Sequence, residues 1–180
     1  MVATDVDGTL LGPDDRVPVR AYAAIERLAA AGVGFVLVTG RPPRWIPPVV
    51  AMLPFAPLAV CANGGALYDS AADRVVWVRT FDTGVLADLA AAVAEVLPTG
   101  GLAVERVGAR AEDPEALFVA EPAYRHAWPD GQNEVADRSA LLDRPAVKML
   151  VRCAELPSET MMTALAPVVG GLADLTFSHP

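Results

Sequence analysis

Asp5-Val6-Asp7-Gly8-Thr9-Leu10-Leu11 is the stretch on which the reading of this chain turns. It follows the short apolar run Val2-Ala3-Thr4, so its two carboxylates stand where a strand ends. The i, i+2 spacing puts both side chains on one side of extended backbone, and Gly8 is free to make the turn that follows. Two carboxylates held close repel unless a proton or a cation lies between them. Hard oxygen donors with no thiolate or imidazole nearby favour Mg²⁺.

Two further strand candidates end in small polar clusters. Phe35-Val36-Leu37-Val38 runs into Thr39-Gly40-Arg41, and Leu58-Ala59-Val60-Cys61 runs into Ala62-Asn63-Gly64-Gly65. Between them the pattern predicts a helix over Val19–Ala31, with Tyr22, Ile25, Leu28 and Ala29 on one face and Gly32 at its stop. A second, short helix fits within Trp45–Leu53 provided Pro47 and Pro48 fall in its first turn. Gly64-Gly65 and the Ser70–Asp73 stretch punctuate a hairpin from Ala66 to Val78. Strands alternating with helices predict an α/β fold on a parallel sheet, and the carboxyl ends of such strands line one crevice, so the three clusters should meet.

The parts fit phosphoryl transfer. That chemistry needs a carboxylate able to carry a phosphoryl group, a second carboxylate to give and take a proton, and donors for the equatorial oxygens. Asp5, Asp7 and Thr39 suit those three tasks, with the Thr9 hydroxyl and the amides around Gly8 and Gly40 as further donors.

With these motifs in order, roughly the first 80 residues resemble the haloacid dehalogenase superfamily of phosphatases, and within it the Cof-type sugar-phosphatase-like branch. Asp5-Val6-Asp7-Gly8-Thr9-Leu10-Leu11 matches the first motif, Val38-Thr39-Gly40-Arg41 the second, and Asn63-Gly64 the turn after the third strand. The resemblance implies a Rossmann-like parallel-sheet core with an α+β cap domain, the core over residues 1–81 and the cap over 82–180. It implies Asp5 as nucleophile and Mg²⁺ ligand, and Asp7 as general acid/base that reaches the metal through its main-chain carbonyl. Thr39 would donate to the phosphoryl group; Thr9, Gly40, Asn63 and Gly64 would line the substrate side. Arg41 would either touch substrate or pin its loop through a salt bridge.

The activity implied is Mg²⁺-dependent hydrolysis of a small phosphorylated metabolite, a sugar phosphate first, through an aspartyl-phosphate on Asp5. Two alternatives stand beside it: a phosphomutase or other phosphotransferase using the same Asp5, and a non-catalytic binding protein. The second arises because the family's lysine motif and its Gly-Asp-x-x-Asn-Asp stretch are not in the sequence. The one lysine, Lys148, lies in the strand-like run Val147-Lys148-Met149-Leu150-Val151, where a cap-strand lysine with its head in solvent is expected. The chain is therefore expected to be the N-terminal part of a longer protein. Its open sheet edge would be covered by the rest of that chain or by a second copy, which leaves a homo-oligomer open.

From Phe81 the texture changes. An Ala-rich helix over Val85–Leu97 precedes strand candidates at Leu102–Val107, Leu117–Val119 and Val147–Cys153, a helix near Ser158–Leu165 and a last strand at Leu172–Phe177. This second sheet is expected to be antiparallel, and Glu121–Arg144 to be polar and irregular. His126 and Trp128 fall in that stretch, where a surface loop is preferred to a specificity loop, and His179 is assigned no role. Trp45 is read as packing rather than substrate contact.

Composition sets the outer bounds. With 53% apolar and 20% charged residues in 180, the chain has the make-up of a folded domain pair rather than of a disordered tract. Its net charge of −8 argues against a nucleic-acid partner held by bulk electrostatics. Residues 1–81 carry 7 acids and 7 bases and residues 82–180 carry 15 and 7, so the whole deficit lies in the second half. No apolar run approaches the roughly 18 residues of a membrane span. Cys61 and Cys153 lack metal-ligand spacing, and a reduced, cytoplasmic protein is expected.

Overall fold

The computed structural model describes residues 1–114, 118–125 and 133–177. The chain forms two compact units, Met1–Arg79 with Val107–Ala116, and Thr80–Arg106 with Leu117–Pro180. It is a mixed α/β protein with two mixed sheets.

The first unit contains β1 (Val2–Asp5), α1 (Val19–Ala30), β2 (Phe35–Val38), α2 (Pro47–Val50), β3 (Leu58–Cys61), β4 (Ala66–Asp69) and β5 (Arg74–Val78), in a sheet of order β1-β2-β3-β4-β5. β1, β2 and β3 run parallel, and β4 and β5 fold back antiparallel as a hairpin. The register sets the parallel ends level: Asp5 pairs with Val38, and Val38 with Val60. The loops that leave β1, β2 and β3 therefore start from one rim.

Leu37, Ala59, Cys61, Ile46, Val49 and Tyr68 are fully or almost fully buried in the core of this unit. Burial of apolar surface at about 25 cal/mol per Å² is what holds such short strands in place. In α1 the buried position is Ile25, with Leu28 packed beside it, whereas Tyr22 and Ala29 are exposed; the apolar stripe is narrower than the sequence suggested. Pro47 and Pro48 do open α2, where their missing N–H groups cost nothing. Both cysteines are free and buried, and burial pushes the Cys61 thiol up to about 12.

The second unit contains α3 (Thr83–Val96), β6 (Gly101–Glu105), β7 (Phe118–Ala120), β8 (Asn133–Val135), α4 (Arg138–Leu141), β9 (Lys148–Arg152) and α5 (Ser158–Val169). The Asp82 carboxylate accepts the Val85 N–H at 2.9 Å and caps α3. Leu86, Leu89, Ala90 and Val93 of α3 and Met161, Leu165 and Val169 of α5 bury one face of the sheet with Leu102, Val104 and Val119.

Four expectations for this half are corrected. The sheet, of order β8-β7-β6-β9, is not all antiparallel, because β7 and β8 run parallel. β8 and α4 lie inside the stretch expected to be irregular; their polar residues hid two short elements. Leu172–Phe177 is not a strand. After Gly170 the chain turns, with the Leu172 and Ala173 amides on the Val169 carbonyl, and Ala173 and Leu175 pack on the helical core. Lys148 is half-buried, pairs in register with Glu105, and has its pKa lowered by burial against the opposing pull of Glu105, so its head is not simply in solvent. His126, Trp128 and His179 lie outside the described residues.

Candidate active site

The loop after β1 leaves the sheet at Asp5 and is tied back at once. The Leu10 amide donates to the Asp5 carbonyl at 3.2 Å and the Leu11 amide to the Val6 carbonyl at 2.9 Å. Val6, Leu10 and Leu11 are buried while Asp5, Asp7, Gly8 and Thr9 are exposed. Apolar residues thus anchor the loop and present its polar ones. Gly8 has φ +74°, the left-handed region that side-chain-bearing residues avoid, so the turn depends on glycine there.

Thr39 is the buried member of the site, at 3% exposure. Its amide donates to the Val60 carbonyl at 2.9 Å, and its hydroxyl oxygen accepts the Arg41 amide at 3.1 Å. The loop after β3 is stitched to the same residues: the Ala62 amide donates to the Arg41 carbonyl at 2.9 Å and the Asn63 amide to the Thr39 carbonyl at 3.1 Å. Ala62 and Asn63 both hold positive φ, 54° and 57°, and those hydrogen bonds offset the strain. Gly40 lies under the Asn63 side chain, since a Cβ on it would stand 3.1 Å from Asn63 Oδ1.

Side chains join the first loop to the second. Arg41 Nε donates to Asp7 Oδ1 and Oδ2 at 3.1 Å each, and Nη2 donates to Oδ1 at 2.6 Å. The Thr9 hydroxyl donates to Asp5 Oδ2 at 3.4 Å. Asp5, Asp7, Thr9, Thr39, Gly40, Arg41, Asn63 and Gly64 thus fall on three adjacent loops of one rim, as the sequence predicted for strand ends. The salt bridge named in one of the two readings of Arg41 is present. Ala62 and the carbonyl of Val60 are structural members that sequence reasoning missed; an alanine at positive φ carries no signal in the sequence.

Arg41 spans the Asp7 carboxylate, and the oxygens that the family resemblance assigns to Mg²⁺ are the Asp5 carboxylate and the Asp7 main-chain carbonyl. Among the described residues no group of three His, Cys, Asp or Glu side chains could hold a metal ion. Two hard oxygens do suit Mg²⁺, which retains water and is commonly bound by one or two protein ligands together with substrate phosphate. The donor set fits in kind.

A family model described as haloacid dehalogenase-like hydrolase matches residues 2–180. Pyridoxal phosphate phosphatase YbhA of Escherichia coli is 37% identical over 76 residues, which is 42% of this chain and 28% of that protein. Among solved structures, BT1666 of Bacteroides thetaiotaomicron, studied among phosphatases of the HAD superfamily, superposes with a TM-score of 0.67 at 16% identity, covering 93% of this chain and 60% of that one. The HAD subclass IIB sugar phosphatase BT4131 superposes with a TM-score of 0.63 at 13% identity, over 91% of this chain and 62% of its own. The chain therefore spans less than two thirds of these proteins. Among the described residues no helix is long and apolar enough to cross a membrane.

Proposed function

The chain belongs to the haloacid dehalogenase-like hydrolases, and on that premise we propose that it carries the nucleophile of a Mg²⁺-dependent phosphatase acting on small phosphate monoesters, with sugar phosphates the first class to test. The observation that supports this most is the meeting of three strand-end loops, in which two exposed carboxylates stand beside a buried threonine and a bidentate arginine. Relatives named for pyridoxal phosphate and for sugar phosphates share small monoesters as substrates.

In this reading an Asp5 carboxylate oxygen attacks phosphorus while the ester oxygen leaves and takes a proton from Asp7. An aspartyl-phosphate forms, and Asp7 then removes a proton from the water that hydrolyses it. Arg41 fixes the Asp7 carboxylate; Oδ1 receives two of its N–H contacts and Oδ2 one, so Oδ2 has the more room for the proton. The Thr39 hydroxyl, whose oxygen accepts the Arg41 amide, has its own hydrogen to donate to the transferring group, and Asn63 and Gly64 face the substrate. Mg²⁺, bound through Asp5 and the Asp7 carbonyl, would neutralise phosphate charge. The second unit would serve as the cap that selects substrate.

The test is phosphate release by the full-length protein from a panel of sugar phosphates and pyridoxal phosphate, with Asp5→Asn as control. Inorganic phosphate that is abolished in the variant supports the reading. Phosphate moved between positions without release indicates a mutase, and unchanged turnover in Asp5→Asn removes Asp5 as nucleophile.

A further inference from the structure

β6 and β7 are antiparallel neighbours in the second unit, yet the chain between them does not take the short route. From Val107 it runs out to become part of the first unit before returning. Its path there is fastened in three ways. Ala111 is 3% exposed and joins the first unit's core, with Val107 packed beside it. The Ala109 carbonyl accepts the Val75 amide of β5 at 2.8 Å. Asp73, in the turn between β4 and β5, gathers the rest: Oδ1 accepts the Ala111 amide and the Tyr68 hydroxyl, each at 2.9 Å, and Oδ2 accepts Arg110 Nε at 3.0 Å.

We propose that residues 107–114 form a releasable strap, held on the β4–β5 hairpin by the Asp73 carboxylate, whose opening is a local event separate from unfolding of the β1–β5 sheet. The chain enters the second unit at Thr80, leaves it at Val107 and re-enters it at Leu117.

Several observations make release selective. Apart from Ala111 and Val107 the fastening is polar, so its strength lies in acceptors concentrated on one carboxylate. The charged and titratable groups facing Asp73 are Tyr68 from β4 and Arg110 from the strap, with Asp69 nearby at the end of β4. The Ala111 amide and then the Tyr68 hydroxyl hold the Asp73 carboxyl below its ordinary range; burial opposes them less strongly than either, and Arg110 adds a lesser lowering. A carboxylate depressed on folding stabilises the closed strap above its unfolded pKa, and that stabilisation is lost as pH falls through the folded value. Asp113, whose carboxylate accepts the Ala109 amide at 2.9 Å, braces the strap internally and serves as the control position.

Two variants of the whole chain test this. Asp73→Gly removes the carboxylate and still tolerates the φ of +44° found there, while Asp73→Asn removes the charge alone. Trypsin reads the result at the Arg110–Ala111 bond, because Arg110 is exposed and Ala111 is pinned. Cleavage is expected to rise about tenfold or more in Asp73→Gly and less in Asp73→Asn, since proteolysis of an opening segment follows its open population. Amide exchange at Val75, Ala109 and Ala111 should rise with it, while the β1–β3 amides stay protected. The acid-induced rise in amide exchange at Ala109 and Ala111 should persist in Asp113→Asn and vanish in Asp73→Asn. Cleavage and exchange equal to wild type in Asp73→Gly overturn the proposal, as does loss of β1–β3 protection in step with the strap. Should Asp73→Gly fail to fold, Asp73→Asn decides on the same two readings.

Discussion

Arg41 and Asp7, 34 residues apart in the chain, are joined by three N–H···O contacts of 2.6 to 3.1 Å, with the guanidinium spanning both carboxylate oxygens. The geometry matters more than the charge. Asp7 is 56% exposed and Arg41 23%, and a pair so placed contributes only about 0–1 kcal/mol to stability. In the proposed mechanism its value is to fix the direction of the carboxylate that exchanges a proton. Arg41→Lys keeps the charge and loses the fork. Turnover is expected to fall about 10²-fold, the scale of a misplaced general acid, with little change in melting temperature. Steady-state kinetics alongside a thermal melt checks both, and an equal loss of stability and activity would mean that Arg41 only braces the loop.

Gly40 is the second pressure point. A methyl group there would stand 3.1 Å from Asn63 Oδ1, and the Asn63 backbone is held by its bond to the Thr39 carbonyl, so the side-chain amide has to give by a few tenths of an ångström. Gly40→Ala should cost about 1–3 kcal/mol as overpacking does and displace the Asn63 side chain. A rise in KM larger than the fall in kcat is the expected kinetic mark, because the proposed mechanism puts Asn63 on the substrate side.

Thr39 separates shape from hydrogen bonding. Valine is close in size but cannot accept the Arg41 amide, and leaving a part-buried N–H without its partner costs about 1–3 kcal/mol. Thr39→Val should therefore lose both stability and phosphoryl transfer. Thr39→Ser keeps the hydroxyl and should recover most of each, as read by urea unfolding and by phosphate release. Equal behaviour of the two variants would remove the hydroxyl from the site.

The rim of the site was legible because its residues sit where backbone periodicity breaks. An apolar run ending in Asp5, Thr39 or Asn63 marks a strand end, and parallel pairing brings such ends level whatever the intervening sequence. What the sequence concealed depends on contacts between distant residues. The Arg41–Asp7 fork could be listed as one of two options but not chosen, since nothing local selects a partner 34 residues away. Ala62 at positive φ is held by the Arg41 carbonyl, not by any preference of alanine. Leu172–Phe177 has the apolar residues of a strand, yet Ala173 and Leu175 pack on the helical core of the second unit while Leu172 and Phe177 stay exposed. Residues 107–114 look like an ordinary connection, and it is their contacts with Asp73, with the Val75 amide and with the core around Ala111 that show them to belong to the first unit.

The second unit has its own acid-sensitive joint. Glu121 is buried and its carboxylate accepts Arg138 Nε at 2.6 Å, Arg138 Nη2 at 3.2 Å and the Leu102 amide at 2.9 Å. Burial alone would raise its pKa, but the Arg138 and Leu102 hydrogen bonds together outweigh burial and leave it below the ordinary glutamate range. A depressed carboxyl gives stability that is present above its unfolded pKa and lost as pH falls through its folded value. The Arg138 end is 44% exposed, which weakens the ionic share, whereas the bond to the Leu102 amide is buried. Glu121→Gln keeps one acceptor oxygen and should destabilise the chain by about 1–2 kcal/mol at neutral pH, in the range of a hydrogen bond to a charged group. The wild-type advantage over Glu121→Gln should shrink as the pH is lowered through the acid range, which paired urea titrations at neutral and acid pH would show. A difference that does not change with pH would mean that Glu121 acts through its shape and not its charge.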